Sequence, residues 1–172
     1  KYFNGKVPVA GPETAAETVV KEAIPQIKAA LEDNLEHYRF RDSLKEAMNL
    51  ARLGNKYLTD TEPWKLAKTD MDRVATILNF SLDICAQLSI ALEPFLPFST
   101  AKLRHILNIR EKHQWIDFAG KRLLEPGHQL NPAELLFEKI EDNVIDAQVA
   151  KLVKPSTKAT APAGPDVAPA PE

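Results

Sequence analysis

Trp64 directly follows Pro63 and is followed by Lys65 and Lys68, within the stretch GNKYLTDTEPWKLAK at 54–68. An aromatic face beside ammonium groups can stack a nucleic-acid base, a contact worth ~1–3 kcal/mol, while Lys56, Lys65, Lys68 and Arg52 attract phosphates. A tryptophan held at a helix start by proline can also pack into a core, and the local residues leave both roles open. Asn55 poses the same choice. It shares a helical stripe with Met48, Ala51 and Leu58, which predicts a half-buried amide that either holds the turn before Pro63 or reads a base edge.

Other chemistry finds little support. No G-x-G-x-x-G or G-x-x-x-x-G-K loop is present to cradle a phosphate. His37, His105, His113 and His128 are scattered, and none stands at metal-ligand spacing with Cys85. Cys85 falls on an apolar helical stripe, where a thiol behaves as a small hydrophobe rather than a nucleophile. The carboxylates occupy mostly polar helix positions, and no spacing singles out an acid/base pair. The chain is therefore expected to carry no catalytic residue, no metal and no cofactor site.

The elements that must position Trp64 are helices. Glycine is scarce at six residues, apolar positions recur three and four apart, and no segment alternates as a half-buried strand would. The expected fold class is all-α, a bundle of about five helices. Val20, Ile24, Ile27, Leu31 and Leu35 form a stripe over 14–38, which Pro25 kinks or splits. Leu44, Ala47, Met48, Ala51 and Leu58 form a second, stopped or restarted by Pro63. The longest helix is predicted over 70–92, capped by Asp70, with Val74, Ile77, Leu78, Leu82, Cys85, Leu88 and Leu92 on one side and Pro94 beyond its end. Ser99 and Thr100 open a shorter helix through Leu107, and 108–130 reads as an ordered loop or short turns. Asn131 and Pro132 predict another helix start. A last helix over 142–153 is expected to pack Val144, Ile145, Val149 and Leu152.

With 172 residues, 44% of them hydrophobic, the chain can bury one ordinary core, placed at 1–153. Residues 154–172 hold five prolines and no aromatic residue. They are expected to be a disordered or extended linker spanning roughly 60 Å at ~3.1 Å per residue. Net charge is −2, so any nucleic-acid contact must rest on a local patch. Acids dominate 13–36, whereas Arg39, Arg41, Lys45, Arg52, Lys56, Lys65 and Lys68 outweigh Asp42, Glu46, Asp60 and Glu62 over 39–68. One cysteine and no apolar stretch judged long enough for a membrane span or signal peptide predict a soluble, cytoplasmic protein without membrane contact. A start at KYFNGKVP without Met suggests a piece of a longer polypeptide.

The stretch NKYLTDTEPWKLAK at 55–68 closely resembles the N-[KR]-Y, PW, K signature of the helical anticodon-binding domain of methionyl-tRNA synthetases. KYFNGKVP at 1–8, ALEPFLPFSTAKL at 91–103 and LLFEKIED at 135–142 match in the expected order. The resemblance implies a helical bundle that binds the CAU anticodon stem-loop of methionine tRNA, with the tryptophan corresponding to Trp64 stacked on an anticodon base. Asn55, Lys56, Lys65, Lys68 and Arg52 are then its expected companions. It further implies an Asn/Arg pair on a helix upstream of Lys1, and a catalytic domain of the same polypeptide that uses ATP. The HIGH-like and KMSKS-like motifs of that domain are absent from this sequence. Some members carry Asp where Thr59 stands, and Asp60 and Glu62 are the nearest acids here. The Pro/Ala-rich tail resembles the linker to a C-terminal tRNA-binding domain. A rival reading is a helical protein-docking module that uses EPFLPF at 93–98, distinguished by whether Phe95, Leu96 and Phe98 are buried.

Overall fold

Thr14 opens the first helix because its side chain and that of Glu17 satisfy each other's backbone donors: Ala16 N–H donates to Thr14 Oγ1 at 3.3 Å and Thr14 N–H to Glu17 Oε2 at 2.7 Å. The computed structural model describes residues 2–111 and 113–152. Helix α1 (Ala15–Glu36) is continuous through Pro25 and buries Val20, Ile24 and Leu31, as its stripe predicts. Helix α2 (Phe40–Thr61) turns back beside it, and the short α3 (Pro63–Leu66) restarts behind Pro63. Helix α4 (Met71–Ala91) is capped by Asp70, which accepts from Arg73 N–H at 2.8 Å. Helix α5 (Pro97–Ile106) starts at Pro97, two residues ahead of the expected Ser99. Helix α1 packs on α2, α2 on α4, and α4 on both α3 and α5. No strand occurs among the described residues; one antiparallel bridge joins Lys6 to Gln129.

Helix α4 lies at the centre. Leu82, Cys85, Leu88 and Leu92 are only half-buried against the core and Leu78 is half-buried, while Val74, Ile77, Phe80, Ile84, Ile90 and Ala91 are buried. By length and apolar content this helix could cross a membrane, which corrects the sequence-based statement that no stretch is long enough. Its most apolar window is 67% buried inside the fold, so its apolar surface is matched by neighbouring helices. Its other side carries Asn79, Asp83 and Gln87 at four-residue intervals. Asn79 Nδ2 donates to Pro8 O at 2.6 Å, Asp83 Oδ1 accepts from Leu123 N–H at 2.8 Å, and Gln87 Oε1 accepts from Ala119 N–H at 2.9 Å. The first holds the N-terminal segment at Pro8 and the other two satisfy backbone groups of 108–130, whose described residues form an ordered loop with one 3-10 turn at Trp115–Asp117.

The inward face of α2 differs from expectation. Ser43, Ala47, Leu50 and Tyr57 are buried, whereas Leu44 and Met48 are more than a third exposed. Apolar character alone does not identify the buried face, because α1 and α4 close on positions 43, 47, 50, 54 and 57. Gly54 lies on that inward line, where a Cβ would meet Ile84 Cγ2 at 3.1 Å. Gly54→Leu forces α2 and α4 apart and is expected to cost ~1–3 kcal/mol, read as a lower urea midpoint at unchanged slope.

No helix forms at 131–137. Asn131 instead closes α5: its N–H donates to Ile106 O at 3.0 Å and its Nδ2 to His105 O at 2.7 Å. Those carbonyls at a helix end need donors, and a side chain used there cannot also cap a new helix. The chain divides into two compact units, Lys1–Phe137 and Glu138–Glu172. The second contains α6 (Asp142–Leu152), none of whose residues is buried. Val144, Ile145 and Val149 are about half exposed and Leu152 more so, correcting the expected packing. A lone amphipathic helix has no partner for its stripe within its own unit among the described residues. The expected linker at 154–172 lies outside the described residues.

Candidate nucleic-acid interface

Helix α3 divides its side chains between the core and solvent within one turn. Pro63 is buried and Leu66 packs against the core, while Trp64 is 58% exposed. Of the two readings the sequence left open for Trp64, core packing fails and display remains. The backbone that turns it outward is unusual. Glu62, between α2 and α3, sits at φ 43°, ψ 55°, a left-handed conformation uncommon for a residue other than glycine. Its N–H donates to Leu58 O at 3.0 Å, and its carboxylate pairs with Lys65 at 2.7 Å. The chain thus reverses in one residue and places Pro63 against the bundle.

The expected companions of Trp64 occupy two neighbouring elements. Lys65 and Lys68 are exposed on α3 and the turn after it; Arg52, Asn55 and Lys56 are exposed on α2. Two of the cations are already paired, Lys56 with Asp60 at 2.6 Å and Lys65 with Glu62. Exposed pairs of this kind contribute only ~0–1 kcal/mol, so a phosphate can displace them at little cost. Lys68 and Arg52 have no acidic partner among the described residues; Arg52 Nη1 donates to Asn49 Oδ1 at 2.7 Å. Asn55 is exposed rather than half-buried, and its amide makes no side-chain hydrogen bond among the described residues. The cause is the rotated inward face of α2, which leaves position 55 outside.

Beneath this surface lies a polar cluster that sequence reasoning missed. Glu17, which composition groups with the acids of 13–36, is fully buried. Its Oε1 accepts from Tyr57 OH and from Arg73 Nη2 at 2.7 Å, and its Oε2 from Arg73 Nη1 at 3.0 Å and Thr14 Oγ1 at 2.8 Å. Burial alone pushes this carboxyl up, but the combined bonds from Arg73, Tyr57 and Thr14 outweigh it and hold it at about 2. Burial and the neighbouring carboxylate push the Tyr57 hydroxyl well above its ordinary value. Glu17 thus ties the start of α1 to α2 and α4 two turns before Trp64. The signal in the sequence was the capping box at Thr14 and Glu17, combined with a tyrosine inside the NKY stretch.

Elsewhere, burial raises the Cys85 thiol, which disfavours the thiolate. No group of three or more His, Cys, Asp or Glu side chains able to hold a metal occurs among the described residues. In EPFLPF, Phe95 and Leu96 are half-buried and Phe98 is 89% exposed. One outward ring does not make a docking surface.

A family model described as the anticodon-binding domain of methionyl tRNA ligase matches residues 7–154. The chain belongs to this family. Among relatives of this anticodon-binding domain, the methionine-tRNA ligase of Phocaeicola vulgatus is 60% identical over 153 residues, covering 89% of this chain and 22% of that enzyme. That of Cytophaga hutchinsonii is 47% identical over 152 residues, covering 88% of this chain and 22% of the enzyme. The chain therefore spans about a fifth of the length of these relatives. In three dimensions the domain resembles the apo form of Mycobacterium tuberculosis methionyl-tRNA synthetase, with a TM-score of 0.75 at 20% identity over 82% of this chain and 29% of that one. At that identity the likeness concerns the fold alone.

Proposed function

We propose that this domain recognises the CAU anticodon stem-loop of methionine tRNA, with Trp64 as the platform on which an anticodon base stacks. The observation that carries the reading is the outward display of Trp64 beside a buried Pro63 in a chain of this family. Lys68 and Arg52 supply unpaired charge, Lys56 and Lys65 exchange their acids for phosphate, and Asn55 offers a free amide to a base edge. Recognition is the task of residues 1–153, and 154–172 lead to a C-terminal tRNA-binding domain.

Joining methionine to the tRNA, with ATP as co-substrate, belongs to a catalytic domain of the parent polypeptide; the setting is the cytoplasm. Because the contacts to phosphate are made by Lys and Arg side chains, affinity for the stem-loop falls as salt rises. The test uses fluorescence. Trp115 donates its Nε1–H to Glu32 at 2.6 Å and stacks edge-on to Phe118 at 5.6 Å; replacing it by Phe leaves Trp64 as the only tryptophan. Titration with the hairpin is expected to quench that emission saturably, and unchanged emission during confirmed binding would sink the stacking role.

A further inference from the structure

Arg41, Lys45, Met48, Arg52, Asn55 and Thr59 follow one another at spacings of four, three, four, three and four residues along α2, and all six are exposed. At 3.6 residues per turn they form a nearly straight line about 27 Å long that ends one turn short of Trp64. The acids of the same helix, Asp42, Glu46 and Asp60, are turned away from this line by roughly a quarter turn or more. The placement shows in the pairing. Arg39 bonds to Asp33, Lys56 to Asp60 and Arg73 to Glu17, whereas Arg41, Lys45 and Arg52 have no acidic partner among the described residues. Cations aligned without counter-charges repel one another, and a line of anions relieves that repulsion.

We propose that this outward face of α2 is a track for the phosphates of one strand of a double-helical RNA stem, the stem whose loop reaches Trp64. The inference rests on the anticodon reading and extends it to Arg41 and Lys45, which lie roughly four and a half to five and a half helical turns from the loop-facing end of α2 at Thr61. A stem is the occupant whose chemistry fits. Its anions are evenly spaced along a line, its direction is set by the loop it carries, and shape-and-phosphate contact needs no base-reading groups at Arg41 or Lys45. The chain is acidic overall at −2, so the track is a local property of α2 rather than of composition.

The experiment compares the unaltered chain, the double variant Arg41→Gln/Lys45→Gln, and Trp64→Ala. Each is titrated across a salt series with the methionine-tRNA anticodon hairpin and with its loop sequence as an unpaired oligonucleotide. Both substituted cations are exposed and unpaired, so the fold is unaffected. The double variant is expected to bind the hairpin about tenfold more weakly at low salt. The slope of log affinity against log salt should be smaller by about 1 to 2, at roughly 0.9 per duplex phosphate, with binding of the oligonucleotide unchanged. Trp64→Ala should weaken both RNAs and leave the slope intact. An unchanged hairpin slope in the double variant overturns the track, and so does an equal loss for both RNAs, which would mean diffuse attraction. Loss at the hairpin in the double variant, with none in Trp64→Ala, overturns the base-stacking reading while the track stands.

Discussion

Glu17→Gln is expected to destabilise the domain by about 3 kcal/mol, a large part of the 5–15 kcal/mol that holds a typical domain together. The carboxylate is fully buried and accepts bonds from Arg73, Tyr57 and Thr14 across three helices. Removing its charge leaves the Arg73 guanidinium, which is mostly buried, without its counter-ion. An amide also brings donors where only acceptors are wanted, so at least one bond is lost as well. The pH dependence follows the same group. Folding lowers this carboxyl from 4.5 to about 2. Its stabilising contribution is therefore complete above the unfolded value and disappears as pH falls through the folded one. The stability difference between the two proteins, measured by urea unfolding, should stay constant near neutrality and shrink between about pH 5 and pH 2. A difference that does not change with pH would show that the lost stability comes from packing rather than charge.

On the proposed reading, Trp64→Ala is expected to act on binding instead. The side chain is 58% exposed, so its removal leaves no cavity and should hardly move the melting temperature. Loss of a stacked base costs ~1–3 kcal/mol, so affinity for the methionine-tRNA anticodon hairpin is expected to fall about 5-fold to 150-fold at about 1.4 kcal/mol per tenfold. Trp64→Phe, which keeps a smaller aromatic face, should fall between the two. Affinity equal to that of the unaltered chain would exclude the ring as a platform, wherever else the RNA sits.

The two substitutions separate parts of the molecule that differ in how far they can be read along the chain. Helix ends are local chemistry. Asp70 caps α4, Pro63 restarts the chain, and Pro94 lies just past the end of α4 because proline cannot continue a helix. Val20, Ile24 and Leu31 are inside because a one-sided stripe in α1 leaves few alternatives. Four ordered matches on the chain point to the anticodon-binding family without any contact being known.

What only tertiary structure decided are the faces. α2 has apolar residues on more than one side, and the approach of α1 and α4 selects Ser43, Ala47, Leu50 and Tyr57 as its interior, leaving Met48 and Asn55 outside. Asn131 resembles a helix start until the open carbonyls of α5, 25 and 26 residues earlier, claim its donors. Glu17 reads as one more surface acid because its partners Tyr57 and Arg73 are 40 and 56 residues away. Trp64 could be named as the residue of interest from its neighbours in the chain, but its exposure depended on Pro63 finding a buried seat. Caps and stripes act over one or two turns and so are written locally; which side faces in, and which charge goes unpaired, is set by elements that meet only when the chain folds.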